Sequence, residues 1–358
     1  MRRALLFLLL LLLLAAGYLY VSLYVPYQGF ASDGVYVDIP HGASQRTIAR
    51  LLAENGVVRN RGAFELLCRL KKRHTLEAGE YFFDRPVTPF AVYDAIASGR
   101  VFVKELVIPE GFTMYDIAEL AAQEGFLTRD EFLAAARDPA PIRDIAPKAP
   151  SLEGFLFPAT YEFPRHMTGT DMTAAMVKKF KQEWQTLPAA GAAPHESVQN
   201  IVTLASLVER ETPRPEERPH VAGVFENRLR IGQPLQCDPT VVYALTLAGL
   251  YSGKLDSGDL HFSSPYNTYE NRGLPPGPIA NPGEAALRAA IDPTPTDDLY
   301  FVANTEGGHF FSKTLEEHNR NVTRYRRLLE QSQNSSSGGV PPAHDPAANK
   351  SRPVRTSP

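Results

Sequence analysis

The spacing of apolar residues divides the chain into three stretches. Ala4 to Val25 is an apolar run of about 22 residues without a charge, which predicts one helix about 33 Å long. Alternating and helical apolar patterns then continue to about residue 330 and predict a folded region. Gln331 to Pro358 is rich in Ser, Pro, Ala, Asn and Gly. Such a composition cannot offset the entropy lost on ordering, so 331–358 is predicted to be a disordered tail.

The N-terminal run is long enough to cross a bilayer, whereas a cleaved signal peptide ordinarily has an apolar stretch of about 7 to 15 residues. This length favours a retained anchor within residues 1–30, although Ala15-Ala16-Gly17 also matches a cleavage region and leaves cleavage open. Arg2 and Arg3 precede the run and place the N-terminus in the cytoplasm. We therefore expect a single-pass protein of the inner (plasma) membrane whose later residues are extracytoplasmic, or periplasmic.

An internal repeat marks the next stretch. The segment Ile39-Pro40-His41-Gly42 is followed by a helical pattern that stops at Gly56. The same order recurs as Ile108-Pro109-Glu110-Gly111 and a helical pattern that stops at Gly125. One constant offset relates the two copies, which indicates a single supersecondary unit used twice. Each copy predicts a strand that leads through a Pro-x-Gly turn into a helix.

The elements around the repeat predict a small α+β module over residues 31–150. Its predicted strands are 35–39, 79–83 and 105–108, and helices at 63–72 and 89–98 lie between them. Two interpretations of this module stay open. It is either a packing spacer that holds the rest of the protein away from the membrane or a glycan-binding module, because a fold alone does not determine a function.

Candidate catalytic groups are concentrated after residue 150. Ser197 to Thr212 predicts a helix whose apolar stripe continues to Glu211, and Pro213 ends it. Glu209 and Glu211 therefore lie in the last turn, where the helix dipole and partial burial both raise a carboxyl pKa. A raised pKa suits a general acid that works near neutral pH. Glu209 lies off the stripe and is predicted to be a solvated neighbour, and an ordinary surface carboxylate is the alternative for Glu211.

Later polar residues are candidates for binding substrate. Asp238 precedes a proline at the start of a predicted helix, where it suits the N-cap position. The loop 263–283 is rich in Pro and Gly and contains Tyr266, Asn267 and Tyr269. These residue types suit sugar recognition, because aromatic rings stack on pyranose faces and amides bind hydroxyls. An ordinary proline-stiffened connection is the alternative interpretation of this loop.

Composition narrows the function mainly by exclusion. The chain has 358 residues, 37 basic and 40 acidic side chains and a net charge of -3, which provides no basic surface for nucleic acid. Its length suits about two globular domains. Cys68 and Cys237 are expected to remain unpaired, since 2 cysteines cannot build a disulfide framework. His309 and His318 have no evident third ligand, so we expect structural histidines and no metal site.

Five segments in order resemble the YceG-like family of endolytic murein transglycosylases. They are LEGFLFPATY (152–161), LASLVERET (204–212), FENRLRIGQPLQCDPTVVYA (225–244), SPYNTYENRGLPPGPIANPG (264–283) and GGHFFSKTLEEHN (307–319). The resemblance implies an α+β protein with an N-terminal transmembrane helix, a small LysM-like subdomain at 31–150 and a mixed α/β catalytic domain at 151–330. Two residues depart from the family pattern, Ala159 in place of an aspartate and Cys237 in place of threonine or serine. Neither is expected to touch the proposed acid.

The resemblance also implies a reaction. Glu211 matches the family's catalytic glutamate, which acts on the MurNAc-GlcNAc β-1,4 bond within peptidoglycan strands and leaves 1,6-anhydroMurNAc ends. Such cuts would limit the length of nascent strands. The implied partners are peptidoglycan strands and peptidoglycan synthases, with no cofactor and no nucleic acid. The residues expected to bind substrate are Glu209, Asp238, Tyr266, Asn267 and Tyr269.

Two other functions remain open from the sequence. A wall glycoside hydrolase would use a second carboxylate, for which Glu209 and Asp238 are the candidates. A noncatalytic peptidoglycan-binding scaffold of the cell-wall synthesis machinery would need no general acid at all. Substitution of Glu211 separates the scaffold from the two enzymes, and the chemical structure of the product ends separates the lyase from the hydrolase.

Overall fold

The computed structural model describes residues 2–71, 75–188 and 197–336. The chain forms two compact units. Unit 1 comprises Met1–Leu106 and Thr160–Met167, and unit 2 comprises Val107–Ala159 and Thr168–Pro358. The described residues contain 12 α-helices and three two-stranded sheets, so the predicted mixture of helices and strands is confirmed.

Unit 1 begins with the apolar helix and continues into small sheets and short helices. Its elements are α1 (Arg2–Tyr24), β1 (Val35–Ile39), α2 (Gln45–Glu54), α3 (Arg61–Leu70), β2 (Gly79–Phe83), α4 (Pro89–Ala97), β3 (Lys104–Val107) and β4 (Thr160–Phe163). The last residue of β3 already belongs to unit 2. β1 pairs antiparallel with β2, and β3 pairs with β4. The predicted strands and helices of this region are confirmed, with small shifts at their ends.

The alternation of side chains along β1 and β2 determines the core of unit 1. Val37 and Ile39 of β1 and Tyr81 and Phe83 of β2 are buried, and they belong to one apolar cluster with buried residues of α2, α3 and α4. Burial of one face of a two-stranded sheet requires such a cover, because an isolated hairpin is only marginally stable in water. The three helices supply it.

The outer face of the same two-stranded sheet carries an aromatic cluster. Tyr36 and Phe82 are direct cross-strand partners, and their ring centroids are 4.5 Å apart. The ring of Phe102 lies 5.1 Å from that of Tyr36, and the Arg165 guanidinium lies 3.8 Å from the Tyr36 ring centroid. The cluster joins residues that are far apart in the sequence, which is why no local spacing indicated an aromatic surface in this module.

The internal repeat is also present in the backbone. Ser44 and Thr113 occupy matching positions and cap α2 and α5 (Met114–Gln123) through their side-chain oxygens. Gly56 and Gly125, which follow the two helices, have φ values of 71° and 72°. Glycine adopts this left-handed conformation without the steric penalty of a Cβ, so both helices end in the same way.

Unit 2 is mostly helical and is organised around one buried helix. In addition to α5 its elements are α6 (Arg129–Ala136), α7 (Gly169–Thr186), α8 (Val198–Glu211), α9 (Arg218–Arg230), α10 (Asp238–Leu247), α11 (Glu284–Ile291), β5 (Tyr300–Ala303), β6 (His309–Ser312) and α12 (Leu315–Ser336). α8 packs against α9, α10 and α11. Every residue from Ile201 to Val208 is buried. The apolar stripe predicted for this helix is therefore part of a helix that is covered on all sides.

Two predicted boundaries differ from the structure. The units divide near residue 107 and not at residue 150, because α5 of the second repeat copy packs on α6, and α6 packs on α7. Residues 331–336, which the sequence assigned to a disordered tail, instead continue α12 to Ser336. The residues after 336 lie outside the described part of the chain.

The apolar helix α1 coincides with the predicted N-terminal run. Leu5–Tyr24 has a mean hydropathy of 2.5 and is long and apolar enough to cross a membrane. The side chains of Leu5 to Leu14 are largely exposed, between 48% and 69%. Leu23, near the end of the helix, is only 8% exposed and belongs to the core of unit 1. The helix is thus continuous with the folded unit that follows it.

Candidate active site

The candidate site lies at the C-terminal end of α8. Ser197 caps the start of this helix, and extended backbone at Thr212 ends it, as the sequence predicts. The residues from Ile201 to Val208 are buried, and the last turn of the helix, which follows them, reaches the surface of unit 2. That turn carries Glu209 and Glu211, and their surroundings differ completely.

Glu209 is held in a buried ion pair. Its Oε1 accepts a hydrogen bond from Nη2 of Arg218 at 2.6 Å, and both side chains are only 5% exposed. Its Oε2 accepts the backbone N–H of Gly283 at 3.0 Å. Burial raises the pKa of Glu209, and the Gly283 N–H and Arg218 oppose that rise. The prediction of a solvated Glu209 is wrong, because α9 and α11 cover the side of α8 that the stripe left polar.

The turn of the second repeat copy completes this network. Oε2 of Glu110 lies 3.4 Å from Nη1 of Arg218, so two carboxylates flank one guanidinium. Arg210 donates a hydrogen bond to the carbonyl oxygen of Gly111 at 3.2 Å, and the Gly111 N–H donates to the carbonyl oxygen of Asn281 at 2.9 Å. A turn that the sequence suggested only as a repeated structural unit is therefore packed directly on the end of α8.

Glu211 occupies the other side of the same turn. Burial, together with the nearby Asp238 carboxylate, raises its pKa to about 7, although the Cys237 hydrogen bond, Arg228 and Arg210 oppose the rise. Among the described residues no lysine or arginine forms an ion pair with Glu211, since the ion pair of this turn belongs to Glu209. A carboxyl group in this state holds a proton near neutral pH and can also release it, as general acid-base catalysis requires.

Cys237 contacts the candidate acid, which corrects the expectation that it would not. Its thiol donates a hydrogen bond to the Glu211 carboxyl group, and the residue is completely buried. Burial raises the pKa of the thiol well above its usual range, so the thiol stays protonated and donates. Its backbone N–H donates to Oγ1 of Thr268 at 3.0 Å. The preceding Gln236 has a φ of 50°, a left-handed conformation that is strained for a residue with a side chain.

Asp238 is the first residue of α10 and not its N-cap. Cys237 occupies the cap position, and no side chain caps the helix. Asp238 instead accepts a hydrogen bond at Oδ1 from the Tyr269 hydroxyl at 2.5 Å. Burial and this carboxylate raise the pKa of Tyr269 far above its usual range, so its hydroxyl remains a donor. The structure thus brings Glu211, Asp238 and Tyr269 together, although the prediction of an N-cap role for Asp238 is wrong.

The loop 263–283 divides its predicted sugar-binding residues into two kinds. Asn267 is 0% exposed, and its amide donates to the carbonyl oxygens of Leu260 and Phe262 while its Oδ1 accepts the Tyr269 N–H. These bonds use all its amide hydrogens, which corrects its assignment as a sugar-binding residue. Tyr266 is half-buried and packs on the ring of Tyr243, at 5.0 Å between centroids.

Comparisons with known proteins identify the family of the chain. The YceG-like family matches residues 37–324. An endolytic murein transglycosylase from Bacillus subtilis is 34% identical over 320 residues, which are 85% of this chain and 88% of that protein. The chain belongs to the YceG-like family. An endolytic murein transglycosylase from Streptococcus pneumoniae (serotype 2, strain D39) is 32% identical over 343 residues, 86% of this chain and 62% of that longer protein.

A solved structure extends the likeness to three dimensions. A yceG-like protein from Listeria monocytogenes is 34% identical and superposes with a TM-score of 0.55, covering 81% of this chain and 99% of that one. The family match begins within β1 and ends within α12, so it includes α8 and the whole loop 263–283. Ala159, one of the two departures from the family pattern, accepts the Ile108 N–H at its backbone oxygen at 2.9 Å. That bond requires no particular side chain at position 159.

A second buried carboxylate, Glu153, connects elements around the site of this YceG-like protein. Glu153 is 2% exposed and accepts hydrogen bonds from the Met114 N–H, the Tyr243 hydroxyl and the Asn281 amide, at 3.0 to 3.1 Å. Burial is the main cause that raises its pKa to about 8, and the hydrogen bonds from the Met114 N–H and the Tyr243 hydroxyl oppose the rise. The Asn281 amide also donates to the Phe112 carbonyl oxygen at 2.9 Å. Glu153 thus fixes the N-terminus of α5 to the loop that positions Gly283.

Several of these residues were missed by the sequence analysis of this family member. Glu110, Glu153, Arg218 and Arg228 are separated from Glu211 along the chain, so spacing on one helix could not reveal them. Arg228 is 6% exposed and donates to the carbonyl oxygens of Leu235 and Leu299, both at 2.6 Å. The one available signal was the change from histidine to glutamate between the two repeat turns, at positions 41 and 110.

The described residues offer no cluster of metal ligands. Among the described residues no group of three or more His, Cys, Asp or Glu side chains could hold a metal ion. Nδ1 of His309 forms a hydrogen bond with Oε2 of Glu217 at 2.8 Å. The ring of His318 stacks on that of Tyr300, with 5.3 Å between the ring centroids. Both histidines therefore have structural contacts in unit 2.

Proposed function

We propose that this chain is an endolytic murein transglycosylase with Glu211 as its acid and base. The observation that carries the proposal is the contrast at the end of α8. Glu209 forms a buried ion pair with Arg218, whereas Glu211 forms no ion pair with a described residue and has a pKa of about 7. The relatives named for this activity supply the substrate class, which is the glycan of peptidoglycan.

The proposed reaction proceeds through one carboxyl group. Protonated Glu211 donates its proton to the glycosidic oxygen between MurNAc and GlcNAc, and the bond from C1 to that oxygen breaks. Glu211, now ionised, accepts the proton of the muramoyl 6-hydroxyl as its oxygen bonds to C1. The products are a free GlcNAc 4-hydroxyl and a 1,6-anhydroMurNAc end, and no water is consumed. Cys237 holds the Glu211 carboxyl group, while Asp238 and Tyr269 line the approach as candidate substrate ligands.

The contacts of Glu209 weigh against one hydrolytic alternative. A hydrolase ordinarily needs a second carboxylate that activates water or attacks C1. Glu209 is occupied by Arg218 and Gly283, so it is poorly placed for either role. Asp238 is the remaining candidate, and its bond to Tyr269 does not prevent it from meeting water.

Product analysis tests the proposal directly. Purified full-length protein is incubated with intact peptidoglycan, and the released ends are identified by mass spectrometry. Anhydro ends from wild-type protein, absent with Glu211→Gln, are the expected result. Reducing ends would assign the protein to the hydrolases. Unchanged glycan with folded wild-type protein would favour the noncatalytic scaffold.

The proposal includes the membrane and the cell wall as surroundings. α1 is proposed as a single-pass anchor of the inner membrane with a cytoplasmic N-terminus, because Arg2 and Arg3 precede the apolar span. Unit 1 is proposed as a LysM-like module. The half-exposed rings of Tyr36, Phe82 and Phe102 favour glycan binding over a spacer role, since aromatic faces stack on sugars. Association with peptidoglycan synthases and a limit on strand length follow from the family resemblance.

A further inference from the structure

The junction between α1 and the rest of unit 1 contains no flexible linker. Leu23 and Ser22 are 8% and 1% exposed, so the last turns of α1 lie against the folded unit. The Asn60 amide, at the N-cap of α3, donates to the Tyr18 hydroxyl at 2.9 Å, and the ring of Tyr24 lies 5.1 Å from that of Phe90 on α4. Both helices α3 and α4 therefore hold α1 in a fixed direction.

The length of α1 determines how deep this junction must lie. The part of α1 before these contacts, Arg2 to Gly17, has about 16 residues and spans about 24 Å. The hydrocarbon core of a bilayer is about 30 Å thick and needs about 20 helical residues. If α1 crosses the core, the contacts made by Tyr18 and Tyr24 must lie at the outer edge of the bilayer. Helices α3 and α4, which contact Tyr18 and Tyr24, must then lie at the outer edge of the bilayer too.

The surface of α3 has the composition expected at that level. Leu70 is 71% exposed, the highest value for a large apolar side chain among the described residues, and Leu66, one turn earlier, is 38% exposed. Basic side chains flank the aromatic residues nearby. The Arg59 guanidinium lies 4.5 Å from the Tyr27 ring centroid, and Nζ of Lys71 lies 5.5 Å from that of Phe90. Leucines, aromatic rings and bases together are typical of the membrane interface.

We propose that unit 1 docks on the outer surface of the membrane through the exposed face of α3, with Leu66 and Leu70 inserted among the lipids. The occupant of this face is the bilayer itself, and Arg59 and Lys71 contact lipid phosphates. The proposal rests on the membrane-spanning role proposed for α1. It extends that role, because unit 1 would be held against the membrane in a fixed orientation and not only attached to it. A bilayer accounts for the exposure of Leu70, since burial in lipid removes its apolar surface from water.

The test uses full-length protein in nanodiscs of phosphatidylcholine and phosphatidylglycerol. Single cysteines replace Leu10, Leu70 or Arg50 and carry a fluorescent label, and some lipids carry a nitroxide quencher near the top of the acyl chain. Cys68 and Cys237 are 0% exposed, so wild-type protein serves as the labelling blank. Arg50 is the matched control, because it is exposed on α2 and forms a surface ion pair with Glu54. Circular dichroism checks that each variant is folded.

Each outcome decides the proposal. Loss of fluorescence at positions 10 and 70, with little loss at position 50, is the expected result. Quenching at position 10 alone would overturn docking and keep the anchor. Quenching at none of the three positions would overturn both, because α1 would then lie outside the bilayer. Equal quenching at positions 50 and 70 would also contradict a specific docking face. Catalytic activity is not measured, so failure of the proposed reaction would leave these results unaffected.

Discussion

The two carboxyl groups on the last turn of α8 have opposite surroundings. Glu209 accepts hydrogen bonds from Arg218 and from the Gly283 N–H, which stabilise its charged form. Glu211 lies beside the Cys237 thiol and the Asp238 carboxylate. A paired buried carboxylate organises structure, and an unpaired one with a raised pKa is able to exchange a proton. Two residues of sequence separation are enough to produce this division, because consecutive side chains on a helix point about 100° apart.

The largest expected effect is on catalysis at Glu211. Glu211→Gln keeps the shape of the side chain but removes the exchangeable proton, so turnover should fall by about 100-fold to 10,000-fold. Turnover on isolated glycan strands measures the change, and thermal melting confirms that the variant is folded. A variant that retains near wild-type turnover would transfer the catalytic role away from this residue.

The next effect is on folding, at Glu209. Glu209→Gln leaves Arg218 buried with only the more distant Glu110 as a charged partner. Breaking a buried ion pair in this way should lower the free energy of unfolding by about 3 kcal/mol. Urea unfolding measures it, with Glu54→Gln at the exposed Arg50 pair as a control that should change little. Equal stability of the two variants would mean that the Glu209 pair contributes no more than a surface pair.

The pH dependence of stability should report the raised pKa of Glu211. The folded pKa of Glu211 is about 7, and the unfolded value is near 4.5. Between these values the unfolded chain has lost the proton that the folded chain keeps, so the free energy of unfolding falls as pH rises from about 4.5 to about 7. Urea unfolding at several pH values should show a shallower fall for Glu211→Gln. Glu153 extends the fall to about pH 8 in both proteins.

A smaller effect is expected at Asp238. Its carboxylate raises the pKa of Glu211, so Asp238→Asn should lower that pKa. The alkaline limb of the kcat/KM profile reports the free enzyme's acid, and it should move to lower pH. Tyr269→Phe serves as the comparison, because it removes the hydrogen bond to Asp238 and keeps the charge. An alkaline limb that stays in place in Asp238→Asn would show that the two carboxylates do not interact.

Local elements of this protein were predictable from sequence because their causes are local. The strand at 35–39, the end of α8 before Pro213 and the two glycine-terminated repeat helices depend on alternation, proline and left-handed glycine. The contacts of Glu209 were not predictable in this way. A helical stripe identifies one covered face, but it does not reveal that α9 and α11 cover the opposite face as well.

The candidate site shows the same limit. Glu211 was identified by its place on the helix and by family resemblance. The contact with Cys237 joins residues 26 positions apart and follows a left-handed backbone at Gln236, which no local spacing indicates. Asp238 looked like an N-cap because an aspartate before a proline usually is one. Its carboxylate bonds to Tyr269, 31 residues later, and such a tertiary partner leaves no mark on local sequence.

Because the backbone at Gln236 is left-handed, one substitution at this position should change stability and activity in opposite directions. A glycine there would relieve about 1 kcal/mol of conformational strain, because it has no Cβ to crowd the backbone. It would also loosen the segment that presents Cys237 and Asp238 to Glu211. Gln236→Gly should therefore melt at a higher temperature and turn over more slowly than the natural protein. A thermostable variant that must keep its turnover should therefore retain Gln236 and be stabilised at other positions.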